Sequence, residues 1–224
     1  MNRNQTFNKI SEDLASMAGI LLKQIQIVKE QLEQHGVDYK DEEINQNELV
    51  LDSFEVKLRK NITNAMVLHT PRATDLRKLM SCYDICLNIE RMGDLTRNVH
   101  KHLRRVDFSN DVFSELKETI LSAYSTMETM VKNAIQIYTY KDPELSRLTI
   151  ELDDIVDNLY TIIRGKLIAY AKEKSMNETE IDEILSISDL SYNIERIADY
   201  ATNIIESSIY LIEGKNIQHN KINY

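Results

Sequence analysis

DICLNIERMGDLTRN (84–98) and DLSYNIERIADYATN (189–203) are one stretch of sequence written twice. Set against each other at a spacing of 105 residues, they agree at Asp84/Asp189, Asn88/Asn193, Ile89/Ile194, Glu90/Glu195, Arg91/Arg196, Asp94/Asp199 and Asn98/Asn203, seven identities in fifteen positions. The same spacing, with no gap, sets Glu48 on Asp153, Asp52 on Asp157 and Arg59 on Arg164. A unit that recurs in register over this length is a tandem duplication. The predicted organisation is therefore a first repeat over 1–107, a second over 108–214 and a flexible C-terminal tail over 215–224.

The repeated unit reads as helix throughout. From about Phe7 to Gln34, apolar residues fall at Leu14, Met17, Ala18, Leu21, Leu22, Ile25 and Val28, the i, i+3, i+4 rhythm of a buried helical stripe. His35 and Gly36 end that helix. A second spans about Asp41 to His69, with Val50, Leu51, Phe54, Leu58, Ile62 and Ala65 on its stripe. Pro71 is expected in the first turn of the third, which runs to about Arg105. A fourth follows the break at 107–111 and ends near Lys141, where Asp142 can cap and Pro143 can open a fifth helix reaching Glu173. The sixth ends at Gly214. Six long helices joined by short loops predict antiparallel neighbours in an all-α fold.

Composition agrees. The 224 residues hold 5 Gly and 2 Pro, too little turn chemistry for a strand-rich fold, and 42% are hydrophobic, enough for a substantial core. A net charge of -9 disfavours a nucleic-acid partner, because phosphate neutralisation needs clustered Lys and Arg. The N-terminal stretch has no apolar signal-peptide core and no segment is long and apolar enough to span a membrane, so a cytoplasmic protein is expected, touching a membrane only peripherally and through partners. Cys82 and Cys86, one helical turn apart without a second pair, are expected as small core residues in a reducing compartment.

What the duplication preserves is acid. Glu90/Asp94 and Glu195/Asp199 place two carboxylates on one helix face, and Glu48/Asp52 and Asp153/Asp157 do so one helix earlier. Where the two helices of a repeat face each other, four carboxylates meet. Such a group takes up a cation, takes up protons, or pairs with Arg91 and Arg196. The spacing alone is common, occurring also at Asp38/Glu42, Asp107/Asp111, Asp111/Glu115 and Glu178/Asp182, so the repetition carries the signal. Asn98 and Asn203 extend the polar stripe by one turn. All-oxygen ligands of this kind suit Mg, Mn, Ca or ferric iron. His100 and His102, two apart on a helix, diverge and suit a surface better than a shared ligand set. No Glu precedes a His by three residues, which removes the ferritin-like di-iron signature.

NIERMGDLTRNV (88–99), NIERIADYATNIIESSIYLIEGK (193–215), TPRATDLRKLM (70–80) and DDIVDNLY (153–160) together resemble the PhoU family of phosphate-signalling proteins, and the likeness covers nearly the whole chain. One departure is Ala198, where the family usually has the glycine kept at Gly93. The resemblance implies a pair of three-helix bundles, each with a multinuclear metal cluster on its surface, iron or zinc in some relatives. Glu48, Asp52, Glu55, Glu90 and Asp94 would serve the first cluster and Asp153, Asp157, Glu195 and Asp199 the second, with Arg91, Asn98, Arg196 and Asn203 in support. Tyr160 stands at the position of Glu55. The function so implied is that of a cytoplasmic negative regulator, an adaptor between the ATPase of a phosphate ABC transporter and a phosphate-sensing histidine kinase, and a homo-oligomer, not an enzyme. Two other readings remain open here: a carboxylate-bridged metalloenzyme, and an accessory protein of a low-affinity phosphate transporter.

Overall fold

Apolar stripes at helical period dictate long helices, and the computed structural model shows them. It describes residues 2–34, 40–109, 111–173 and 175–214. The elements are α1 (Arg3–Glu33), α2 (Asp41–His69), α3 (Ala73–Leu103), α4 (Asp111–Tyr140), α5 (Pro143–Ile150), α6 (Asp153–Glu173) and α7 (Glu178–Glu213), and no strand occurs among the described residues. The expected fifth helix is thus broken in two at Glu151–Leu152. Just before the break, Ser146 and Thr149 donate their hydroxyls to carbonyls four residues back, at Asp142 and Leu145. Such back-bonding competes with and bends a helix. The Leu152 N–H then takes a tight i→i−3 bond to the Thr149 carbonyl, and α6 restarts with Asp153 and Asp154 in its first turn, where the helix dipole favours negative charge.

The ends are set by caps. α1 starts earlier than its apolar stripe suggests, because Asn2 and Gln5 form a reciprocal capping box. Asn177 and Glu180 do the same for α7. Asp142 accepts from the Glu144 and Leu145 amides with Pro143 in the first turn of α5, and Gly214 closes α7 in the left-handed conformation, φ 71°. Pro71 departs from expectation. Arg72 is the N-cap of α3, so the proline stands ahead of the helix and follows Thr70, itself left-handed at φ 39°. The predicted stop at His35–Gly36 and the tail 215–224 lie outside the described residues.

One apolar core runs through both repeats. Each repeat packs its own three helical arms together, and the two repeats join chiefly by α3 against α7. Those two helices run antiparallel: Ser81 donates to the Ser207 carbonyl at 3.0 Å, Arg91 reaches Tyr200, and His102 approaches Asp189. Cys82 and Cys86 are buried in this core. His100 and His102 diverge as expected, but His100 is not at the surface. It is 3% exposed, bonded through Nδ1 to Gln31 of α1 at 2.8 Å and through Nε2 to Asp41 of α2 at 2.7 Å. Among the described residues no helix is long and apolar enough to cross a membrane.

At Gly93 the backbone of α3 comes close to α2. A Cβ there would stand 2.5 Å from Leu51 Cδ1, a distance that real contacts do not tolerate. The second repeat has Ala198 at this register and Val156 at the register of Leu51, both buried, so one methyl gained is matched by one carbon removed. We expect Gly93→Ala to lower unfolding stability by about 1–3 kcal/mol through overpacking. Leu51→Val added to it should recover most of that loss. Chemical denaturation of the single and double variants checks this, and a double variant no better than Gly93→Ala would refute the compensation.

Candidate metal centre

Each acidic cluster sits on the seam between two helices of one repeat. On the first seam, α2 supplies Glu48, Asp52 and Glu55 and α3 supplies Glu90 and Asp94. The bare backbone of Gly93 lets α2 approach, and a Cβ there would lie 3.7 Å from Glu48 Oε2. Glu48 is consequently 6% exposed, and its Oε2 has no hydrogen-bond partner. Burial first, then the neighbouring carboxyls of Asp94 and Asp52, push Glu48 up to about 8. Glu90 is also raised, by burial and then by Asp94, Glu55 and Asp52, with Arg91 opposing. All five acids expected on this seam therefore share one electrostatic neighbourhood. Glu55 is the one with a firm partner, accepting from Arg59 at 2.9 Å, while Arg59 also donates to the Tyr83 hydroxyl at 3.1 Å.

The second seam, between α6 and α7, repeats the arrangement with changes. Asp153 is pushed up to about 6 by burial and then by Asp157, Asp199 and Asp154, and Glu195 up to about 7 by burial and then by Asp199, Asp157 and Asp153. Asp157 and Asp199 are raised too, in each case mainly by burial. Asp153 Oδ1 and Glu195 Oε2 are buried without hydrogen-bond partners. Tyr160, in the place of Glu55, lies against Tyr192 with ring centroids 6.4 Å apart. That position contributes an aromatic wall instead of a carboxylate.

The supporting residues divide. Arg91 and Arg196 temper Glu90 and Glu195 through space, yet neither forms an ion pair among the described residues. Both instead reach the Tyr200 hydroxyl, at 3.3 and 2.7 Å. Asn98 and Asn203 are half-buried one turn beyond the acids, and among the described residues no hydrogen bond ties them to either cluster. Three contributors escaped the sequence reading. Asp154 adds charge to Asp153 and Asp157, and Thr202 steadies the ionised form of Asp153. Gln24, fully buried on α1, donates to the Gly93 carbonyl at 3.0 Å and favours ionised Glu48. Asp154 was legible only as one more acid next to Asp153. Gln24 and Thr202 carry no signal without the fold.

Three unpartnered carboxylate oxygens, all on predicted ligands, are the chemistry a cation satisfies. Among the described residues no three His, Cys, Asp or Glu side chains already converge on the position of a single ion. The donors thus fit an oxygen-loving cation in type and in need.

The raised acids give a signed pH dependence. Glu48 has an ordinary value of 4.5 and titrates at about 8 in the fold, so the folded state holds its proton more tightly than the unfolded chain. Its stabilisation is complete at low pH and is lost as pH rises through 8, and Glu195 follows the same direction through about 7. His100, which is buried, and His102, which is half-buried, are both depressed from 6.5 mainly by desolvation and act in the opposite sense, but only below that value. Cation-free protein should therefore lose thermal stability as pH rises from about 6.5, where the histidines cease to oppose the acids, to about 8, and level off above that. Glu48→Gln should flatten that loss. Melting curves recorded in chelator decide it, and a wild-type curve that stays level or rises would contradict the assignment.

Comparison with known proteins follows the same lines. A family model described as "PhoU domain" matches the chain twice, over residues 14–103 and 120–208. A "Phosphate-specific transport system accessory protein PhoU homolog" of Aquifex aeolicus is 29% identical over 211 residues, covering 94% of this chain and 93% of the relative. One of the same description from Clostridium acetobutylicum is 24% identical over 213 residues, covering 95% and 94%. Among solved structures, PhoU from Pseudomonas aeruginosa superposes with a TM-score of 0.82 at 23% identity, over 96% of this chain and all of that one. The phosphate transport system regulatory protein PhoU from Streptococcus pneumoniae gives 0.82 at 16% identity, over 96% and 99%. The fold is shared with both.

Proposed function

This chain belongs to the PhoU family, and on that premise we propose that it is an accessory and regulatory protein of phosphate transport. In finer terms, we read it as a cytoplasmic negative regulator that links a phosphate ABC transporter, through its ATPase, to a phosphate-sensing histidine kinase. The observation that carries the reading is the duplicated acidic seam with its unpartnered oxygens at Glu48, Asp153 and Glu195.

Glu48, Asp52, Glu55, Glu90 and Asp94 would hold cations in the first cluster, and Asp153, Asp157, Glu195 and Asp199 in the second. Multinuclear iron or zinc, or a hard cation such as Mg, Mn or Ca, would supply positive charge that lets these acids ionise together. The chain's own residues then do the rest. With its acids ionised and satisfied, each seam is held shut, since α2 is tied to α3 and α6 to α7. Exposed apolar residues recur at matching register in the two repeats: Val50 and Ile155, Leu76 and Ile181, Met80 and Leu185. Exposed apolar positions of this kind suit protein partners. Two equivalent sets let one molecule engage two partners, which is what an adaptor requires.

Among the described residues no histidine neighbours either cluster, and the acids face a surface seam, so nothing specific favours the metalloenzyme reading. We expect protein purified without chelator to retain metal by elemental analysis. Alanine at Glu90, Asp94, Glu195 and Asp199 together should strip that metal and leave transcription of phosphate-starvation genes constitutive. Metal-free wild-type protein, together with normal phosphate control in the quadruple variant, would sink the proposal.

A further inference from the structure

Arg91 of α3 and Arg196 of α7, at the same register of the two repeats, converge on one tyrosine at the seam between the repeats. Arg91 Nη1 lies 3.3 Å and Arg196 Nη2 2.7 Å from the Tyr200 hydroxyl oxygen, so the two nitrogens stand no more than about 6 Å apart. Aromatic rings also neighbour both guanidiniums. Arg196 lies 5.8 Å from the Tyr192 ring centroid and 5.5 Å from that of Tyr200, and Arg91 lies 5.7 Å from Tyr200 on its own approach. Tyrosine and arginine thus alternate across the α7–α3 seam, and Tyr200, at 8% exposure, forms its buried floor.

Two cations held this close normally have a carboxylate between them. Here neither guanidinium has an ion pair among the described residues, whereas Arg59 and Arg104 each do. The tyrosine hydroxyl takes one N–H from each, and a guanidinium has five in a rigid fork. Arg91 is exposed and Arg196 half-buried, so the remaining donors reach solvent. The bonds to Tyr200 and the neighbouring rings restrain both guanidiniums beforehand, which reduces the ordering cost of binding.

We propose that Arg91, Arg196 and Tyr200 form a site for a free tetrahedral oxyanion of the phosphate and sulfate class. Neighbouring oxygens of one such anion bridge the gap with charge-assisted bonds of about 2.7–2.9 Å to each guanidinium. The site uses residues of both repeats and exists only where they meet. Glu90, beside Arg91, and Glu195 and Asp199, close to Arg196, oppose an anion while they are ionised without a counter-charge. The affinity therefore rests in part on the cation reading above, because cations at the acids relieve that opposition. Occupancy of the two kinds of site is then reciprocally linked.

Isothermal titration of the full chain with inorganic phosphate, at constant ionic strength against a chloride blank, tests the site. Parallel titrations use sulfate and chelator-treated protein. Saturable phosphate binding is expected, competed by sulfate and weakened after chelation. Arg91→Gln and Arg196→Gln should each weaken it about tenfold or more, with unchanged circular dichroism and melting. Tyr200→Phe keeps the ring and should weaken it less. Wild-type protein without saturable binding overturns the proposal, as does wild-type affinity retained in both arginine variants. Binding that survives both arginine variants but vanishes with the metal in the quadruple acid variant also overturns it, and leaves the cation reading standing. Loss of metal in that quadruple variant with phosphate still bound through Arg91 and Arg196 supports this site and is scored separately from the regulatory role.

Discussion

The antiparallel packing of α3 on α7 is the constraint from which the rest of the molecule follows. Each helix must give its most apolar stripe, built on Ile85, Ile89 and Met92 in one and Leu190, Ile194 and Ile197 in the other, to the common core. The adjoining stripe then has only the α2 or α6 of its own repeat to face, and that stripe carries Glu90 and Asp94, or Glu195 and Asp199. Carboxylates are thereby pressed into the margin of an apolar core. Burial is the leading cause of every raised acid on the two seams, ahead of any single neighbouring charge. The chain tolerates this because the acids lie where a cation or solvent can still reach them, and where Arg91 and Arg196 lend opposite charge from behind.

The period of the apolar residues and the spacing of 105 were enough to read helices, duplication and the acid set, because each depends on residues close in sequence or on identity between copies. Features that depend on meeting in space were not readable. His100 looked like a surface residue because its partners, Gln31 and Asp41, belong to other helices. The break at Glu151–Leu152 hides inside a good helical pattern, with no glycine or proline to mark it. Asn2 caps α1 with a motif that lies ahead of the apolar stripe, where periodicity has nothing to count. Arg91 and Arg196 were read as partners of their adjacent acids. They meet a tyrosine that only the α3–α7 crossing brings between them.

The two seams are related but unequal. Glu48 lies in the middle of an unbroken helix and is buried deeply enough to titrate at about 8. Asp153, its counterpart, opens α6, where free backbone amides and the dipole favour negative charge, and it titrates at about 6. Glu55 adds a carboxylate clamped by Arg59 on one side, and Tyr160 adds a ring on the other. At neutral pH Glu48 must give up its proton to take a cation, whereas on the second seam Asp153 is already largely ionised and Glu195, at about 7, gives up only part of one. Affinity and proton release therefore differ between them, even though the fold presents both in the same register.

The pairings Leu51 with Gly93, and Val156 with Ala198, bear on how the two copies could have drifted apart after duplication. A change from one pairing to the other needs two substitutions, and the order matters in either direction. Leucine facing alanine is an overfilled intermediate, penalised by about 1–3 kcal/mol. Valine facing glycine leaves a gap of one methylene, a loss of about 0.5–1.5 kcal/mol. The loosely packed valine–glycine pair is the less costly intermediate of the two. A chain near its stability threshold would have passed through even that intermediate only when it had stability in reserve. The seam that places Glu48 against the backbone of α3 is thus also a ratchet in sequence space, one that holds each copy to the packing solution it already has.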